Sequence, residues 1–285
     1  MKKLFKQIGK AIGYFAVYLL SMNIVDLIAG FVWGYMKGAE FKAMGMSSEE
    51  SMAAFQSLEP GYKGVSMLIG ALLTLLIYFI IEKVKRSSLA KETDMKMVTG
   101  KQIGLTVVGA LGGMFFMNFM LNILPIPKEL LGDLTSGMGS LTSYPFWLAI
   151  IVNAILIPIL EEVVFRGYLF NRLGKAMPAV VAAIVSSVVF GICHGGLVWA
   201  IWAGVMGLLV CVARIKTGSI IPCIIFHIIM NTFGMVVSYF PVLEKLNNVG
   251  MYVLTIAGGI LIAVYVVGMI TDKNSDKEKA VVKVA

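Results

Sequence analysis

The chain has 285 residues, of which 59% are hydrophobic and only 14% charged, and it carries a formal net charge of +8. Soluble domains average roughly 45–50% apolar and 25% charged residues, so this composition excludes an ordinary water-soluble fold. The positive balance does not point to a nucleic-acid partner, because the basic residues fall in short segments between apolar runs, where they report membrane orientation.

Stretches of roughly 20 apolar residues occur at about 11–36, 65–82, 102–124, 144–170, 178–195, 197–213, 218–240 and 249–270. They predict an all-α, polytopic transmembrane helical bundle of about eight spans, a single integral membrane domain over 1–285 whose first partner is the lipid bilayer. The N-terminal Lys2, Lys3 and Lys6 precede an apolar run that continues through Phe31, Val32, Trp33 and Tyr35. That is too long for a signal-peptide core, and it is read as an uncleaved first span. An even number of spans leaves both termini on one side. Lysine-rich ends, together with Lys83, Lys85, Arg86, Lys91, Lys96 and Lys101, then Arg172 and Lys175, then Arg214 and Lys216, make that side cytoplasmic. The tail, 271–285, is basic and cytoplasmic on the same reading.

Between the first two spans, Ser47 and Glu50 stand three apart ahead of Met52, Phe55 and Leu58, a capping-box pattern for a short interfacial helix. The segment 125–143 has the composition of a connector. Gly109 with Gly113, and Gly204 with Gly207, let helix backbones approach closely. Asp26, Asn118 and Asn122 are read as structural hydrogen-bonding groups within spans. Cys193, Cys211 and Cys223 lie in apolar runs, odd in number and without metal-ligand spacing, and give no disulfide framework.

The fourth run carries Glu161, Glu162 and Arg166, where ionised groups are costly unless a cavity or partner hosts them. Glu162 and Arg166 are four apart on one helix face and form a local ion pair, while Glu161 points about 100° away and remains free. Pro158 leaves the carbonyl of Ala154 without its helical donor. The chain's two histidines, His194 and His227, fall in later runs, with Asn231 one turn beyond His227. If the chain turns back at Met177-Pro178, Glu161 and His194 each lie about 24 Å up antiparallel helices. His227 and Asn231 lie about 12 and 18 Å above the base of their span, so all four groups reach one layer.

Peptide hydrolysis needs an activated water, a proton carrier and donors aimed at the developing oxyanion. Glu161 suits the base, His194 a group that holds the water, and His227 with Asn231 the oxyanion donors. Ser186 and Ser187 lack the Gly-x-Ser-x-Gly elbow of a serine nucleophile. Two alternatives stay open: a zinc-dependent membrane protease using one Glu and two His, although no His-Glu-x-x-His helix is present, and a non-catalytic scaffold that binds a partner through the same cavity.

Glu161-Glu162-x-x-x-Arg166, Phe190-x-x-x-His194 and His227-x-x-x-Asn231, in that order on successive apolar runs, resemble the three-motif signature of the CAAX-processing and bacteriocin-processing (CPBP, or Abi) family of intramembrane endopeptidases. The resemblance covers a core of about 145–240. It implies a helical membrane fold of eight spans and glutamate-dependent, metal-independent proteolysis with no cofactor. By that likeness Glu161 and His194 activate water, His227 and Asn231 form the oxyanion hole, and Glu162, Arg166 and Phe190 support them. The implied substrate is a membrane-associated peptide or lipidated protein, met in a bacterial plasma membrane. The implied biology is peptide maturation, bacteriocin self-immunity or regulation.

Overall fold

The computed structural model describes residues 2–57, 61–127, 129–132, 144–240 and 246–273. Leu58, most of the 125–143 connector and the tail from 274 onward therefore lie outside the described residues, as does the side chain of Asn122.

The described residues are all-helical: α1 (Lys2–Ala43), α2 (Ser48–Ser57), α3 (Lys63–Val84), α4 (Leu89–Glu92), α5 (Gly100–Ile123), α6 (Phe146–Gly174), α7 (Ala179–Ile192), α8 (Leu197–Thr217), α9 (Ile221–Tyr239) and α10 (Asn248–Thr271). The chain is a polytopic membrane protein, and among the described residues seven helices are long and apolar enough to cross a bilayer. The fifth stretch expected from sequence forms α7, which has 14 residues, about 21 Å of helix against about 30 Å of hydrocarbon. Its expected span reached residue 195, but the helix stops short because Gly195 and Gly196 follow with φ of +67° and +49°. Those are left-handed conformations that glycine adopts without a Cβ penalty. The apolar composition concealed a turn, and His194 sits in it.

Start signals place most of the elements. Ser47 and Glu50 form the expected reciprocal cap of α2: Ser47 N–H donates to Glu50 Oε2 at 2.7 Å, and Glu50 N–H donates to Ser47 Oγ at 3.2 Å. Thr99 and Gln102 do the same for α5, Asn247 caps α10, and Pro145 and Pro178 immediately precede α6 and α7. With 42 residues, roughly 63 Å, α1 overshoots any bilayer.

Burial separates centre from periphery. In α6, 72% of the membrane-span window is buried, against 6% in α1, so α6 is the core helix and the others pack round it. It touches α1 and α3 on one side and α7 and α9 on the other. The closest pair is α5 with α10, where a Cβ at Gly258 would lie 2.4 Å from the Phe116 nitrogen and 2.8 Å from the Gly112 carbonyl oxygen. A Cβ on Gly109 would meet the Tyr265 ring at 2.4 Å, so that small-residue position does serve packing. Asp26 accepts from Lys63 Nζ at 2.6 Å and from Ser66 Oγ at 2.9 Å, tying α1 to α3, and Asn118 donates to the Met114 carbonyl at 2.8 Å. The Asp26 bonds tie two helices, whereas Asn118 also lines the cavity described below.

Candidate active site

α6 is not a uniform α-helix. Residues Ile150–Leu156 and Val163–Leu169 are wound as π-helix, with Ile157 N–H reaching back five residues to Val152 and Phe170 N–H to Phe165. The six-residue α-helical segment between them, Ile157–Glu162, carries both glutamates. Wider winding rotates side chains relative to an α-helix and shifts the backbone register, a feature that recurs at functional sites.

Glu162 and Arg166 are both fully buried, and Arg166 Nη1 donates to Glu162 Oε1 at 2.8 Å, the ion pair expected from their spacing. The same oxygen is 2.8 Å from His227 Nδ1, a contact that the sequence spacing did not foretell. Glu161 points elsewhere and keeps 8% exposure, with Oε2 at 3.6 Å from His227 Nε2. His227 thus sits between two carboxylates on consecutive residues.

Phe190, on α7, braces this arrangement. The Arg166 guanidinium lies over its ring at 4.5 Å, Phe165 meets it edge-on at 5.0 Å, and His227 does so at 5.7 Å. Its carbonyl oxygen is 2.8 Å from His194 Nδ1. A carbonyl only accepts, so His194 Nδ1 carries the hydrogen and neutral His194 has its acceptor lone pair at Nε2. By the same logic Nδ1 of His227 donates to Glu162, and simultaneous donation from Nε2 requires the imidazolium, a charge that Glu162 and Glu161 are placed to offset.

Glu161, His194, His227, Asn231 and Phe190 line one cavity of about 280 Å³. The four residues expected at one depth are therefore brought together, although His194 arrives from the turn after α7 rather than from within a span. Glu162 and Arg166 lie behind it, bordering a void of about 20 Å³ with Phe190 and His227. Apart from Asn118 and Asn153 the remaining wall is apolar, with Trp199, Trp202 and Met206 from α8, Met230 and Met235 from α9, and Met67 from α3. Ser186 and Ser187 are buried outside this cavity, with hydroxyls near Cys211 Sγ, and neither faces it.

Two residues were missed by sequence reasoning. Asn153 lines the cavity, and its carbonyl accepts from Asn231 Nδ2 at 2.9 Å. Arg214, 4% exposed, donates from Nε to the Arg166 carbonyl at 3.1 Å. It is held in turn by Asp94 at 2.6 Å and by Asn171, so the loop before α5 props up the second π segment. The amide of Asn153 within an apolar run was an available signal, whereas Arg214, between two runs, was read only as a mark of orientation.

No group of three His, Cys, Asp or Glu side chains among the described residues is arranged to hold a metal ion. The lack of such a donor set among the described residues disfavours the zinc alternative.

The described residues form an all-helical, membrane-embedded fold with paired glutamates, two histidines and an amide about one cavity, and comparison with known proteins places it near protease-like membrane proteins. Residues 143–233 match the family model described as type II CAAX prenyl endopeptidase Rce1-like. The chain is 28% identical over 227 residues to the putative membrane peptidase YdiL of Bacillus subtilis (strain 168), an alignment spanning 77% of this chain and 87% of that one. It is also 26% identical over 121 residues to the UPF0177 protein YxdF of Lactococcus lactis subsp. lactis (strain IL1403), covering 41% of this chain and 67% of that one. No solved structure gives a significant match. Residues 143–233 are thus similar to the Rce1-like CAAX protease family, and the bacterial relatives and apolar helices support a multi-pass protein of a bacterial plasma membrane.

Proposed function

We propose that this protein is an intramembrane endopeptidase that hydrolyses a peptide bond of a membrane-associated peptide or protein, with 145–240 as its catalytic core. The observation that carries the reading is the meeting of Glu161, His194, His227 and Asn231 on one apolar-walled cavity.

In this reading a water lies between Glu161 and Nε2 of His194. Glu161 takes a proton from it as it attacks the scissile carbonyl and returns that proton to the leaving amine. Nε2 of His227, supported from behind by Glu162, and the amide of Asn231 donate to the oxyanion. Arg166 offsets the charge of Glu162, so the buried carboxylate orients His227 without remaining uncompensated. Charge shared along Arg166, Glu162 and His227 supports a role for Glu162 in positioning rather than in attack. In this reading substrate enters from the side that carries the basic loops.

The test is a comparison of new peptide termini, by mass spectrometry, in membranes of cells expressing the wild type or Glu161→Ala. The reading requires termini present with the wild type and absent with the variant. Identical sets, with both proteins present at equal level, would overturn it and favour a non-catalytic scaffold.

A further inference from the structure

The cavity lies toward the bilayer face opposite the basic loops. Its residues Met67, Asn118, Leu121, Trp199 and Gly234 stand near the ends of α3, α5, α8 and α9 that are remote from Lys85, Lys101 and Arg214. On that side the hairpin of α7 and α8 is low. α7 has 14 residues, about 21 Å, and α8 rises about 26 Å from Arg214 to Leu197. α5 and α10, with 24 residues each, reach about 36 Å. The hydrocarbon layer is about 30 Å thick, so both arms of the hairpin stop inside it, and any tilt lowers them further.

The tip of the hairpin, Cys193-His194-Gly195-Gly196, is therefore irregular backbone at membrane depth. Cys193 and Gly195 are exposed. α8 begins at Gly196 with no side-chain cap, so its first N–H groups have no acceptor within the helix. Irregular backbone at such depth persists only where protein buries it or water reaches it, and exposure rules out the first. His194 and Trp199, on either side of Gly195 and Gly196, both line the cavity, so the tip forms part of its rim. We propose that this tip is a water portal: the bilayer thins over it, and water enters the cavity there from the face opposite the basic loops. That water is the second reactant of the hydrolysis, so the portal's role in catalysis rests on the endopeptidase reading. Substrate and water then meet from opposite faces, and His194, which holds the attacking water in that reading, stands at the point of entry. The arms keep the opening local. Val188 and Ile192 on α7, and Leu197 and Ile201 on α8, are exposed and apolar, so lipid covers the hairpin up to its tip.

The test needs no substrate. The full chain is reconstituted in liposomes, and the probe is a charged, membrane-impermeant methanethiosulfonate, which reacts with thiols in water and is excluded from hydrocarbon. Cys193 is an exposed native thiol, whereas Cys211 and Cys223 are buried. Cys193 should be modified at least about tenfold faster than Val188→Cys in a Cys193→Ser chain, although Val188 is also exposed, more than one turn lower on α7. Equal rates would overturn the proposal. The side of entry is read with Lys175→Cys, in the basic turn before α7, added to the chain that keeps Cys193. With reagent outside sealed vesicles each molecule should take a single label, at one cysteine or the other, and a second only after permeabilisation. Doubly labelled molecules beside unlabelled ones would put the tip on the basic face and overturn the proposal.

Bilayer thickness separates the portal from the reaction. Longer lipid chains bury a tip that thin bilayers leave wet, so labelling of Cys193 should slow in thick bilayers while labelling of Lys175→Cys stays level. Cleavage of a pool of internally quenched, lipid-tailed peptides, in nanodiscs of the same lipids, should fall with it. Cys193 labelling that ignores thickness would overturn the thinning, and cleavage that holds while labelling falls would overturn the portal as the source of water. If the wild type cleaves no peptide in either bilayer, the endopeptidase reading fails instead, and labelling alone decides whether the portal exists.

Discussion

Arg166→Leu isolates the energetics on which the site depends. Arg166 and Glu162 are both 0% exposed, and their Nη1 to Oε1 contact of 2.8 Å is the guanidinium's ion pair. Leucine fills much of the space but leaves a buried carboxylate facing only His227. Removing one partner of a buried pair costs about 3–5 kcal/mol, because the remaining charge stays out of water. At roughly 2–4 °C per kcal/mol for a chain of this order of size, the thermal midpoint should fall by about 6–20 °C. The assay is thermal unfolding in nanodiscs followed by intrinsic fluorescence. Adding Glu162→Gln to the same chain removes the stranded charge while keeping an acceptor for His227 Nδ1, so the double variant should recover most of the loss. Two results would refute the reasoning: a midpoint within about 2 °C of wild type for the single variant, or additive losses in the double variant.

Gly258→Ala places a methyl group 2.4 Å from a backbone nitrogen of α5. Backbone cannot swing aside as a side chain can, so the α5–α10 pair should separate at a cost of about 1–3 kcal/mol, visible as a lowered thermal midpoint. Hydrogen bonds from the Ser47 amide and hydroxyl hold the Glu50 carboxyl below its ordinary range. A depressed carboxyl contributes stability that is full above its unfolded pKa and lost as pH falls through the folded value, so the cap of α2 weakens only in acid below the usual glutamate range. Carbon NMR of the Glu50 carboxyl should show that low titration, and Ser47→Ala should move it upward. Asp94→Ala removes the acidic partner of Arg214 and loosens the loop beneath the second π segment. Turnover should drop with substrate affinity retained, read as a fall in kcat without a rise in KM.

How much of this was legible beforehand follows from which interactions are local. Apolar runs gave seven helices to within a few residues, except where α1 extends well past its apolar stretch at both ends, because hydrophobicity marks the bilayer rather than the end of a helix. α7 was drawn too long: Cys193-His194-Gly195-Gly196 reads as a continuation of the span until its two glycines adopt positive φ. The site was legible because an ionised group in hydrocarbon requires a reason, and that requirement brought Glu161, His194, His227 and Asn231 forward together. The π windings of α6 were not legible. No local propensity announces them, and the side chains that meet them come from other helices, Asn231 at the Asn153 carbonyl and Arg214 at the Arg166 carbonyl. The bond from His227 to Glu162 was missed because the i, i+4 spacing to Arg166 already accounted for that carboxylate.

The central claim, that a water is activated by Glu161, is tested most directly by single-turnover cleavage of the lipid-tailed quenched peptides in nanodiscs by the wild type and by Glu161→Gln. The glutamine keeps the size and hydrogen-bonding reach of the side chain and removes its capacity to take a proton. The account predicts a rate lower by about 10² to 10⁴ with the thermal midpoint preserved. Cleavage at the wild-type rate by Glu161→Gln would contradict it.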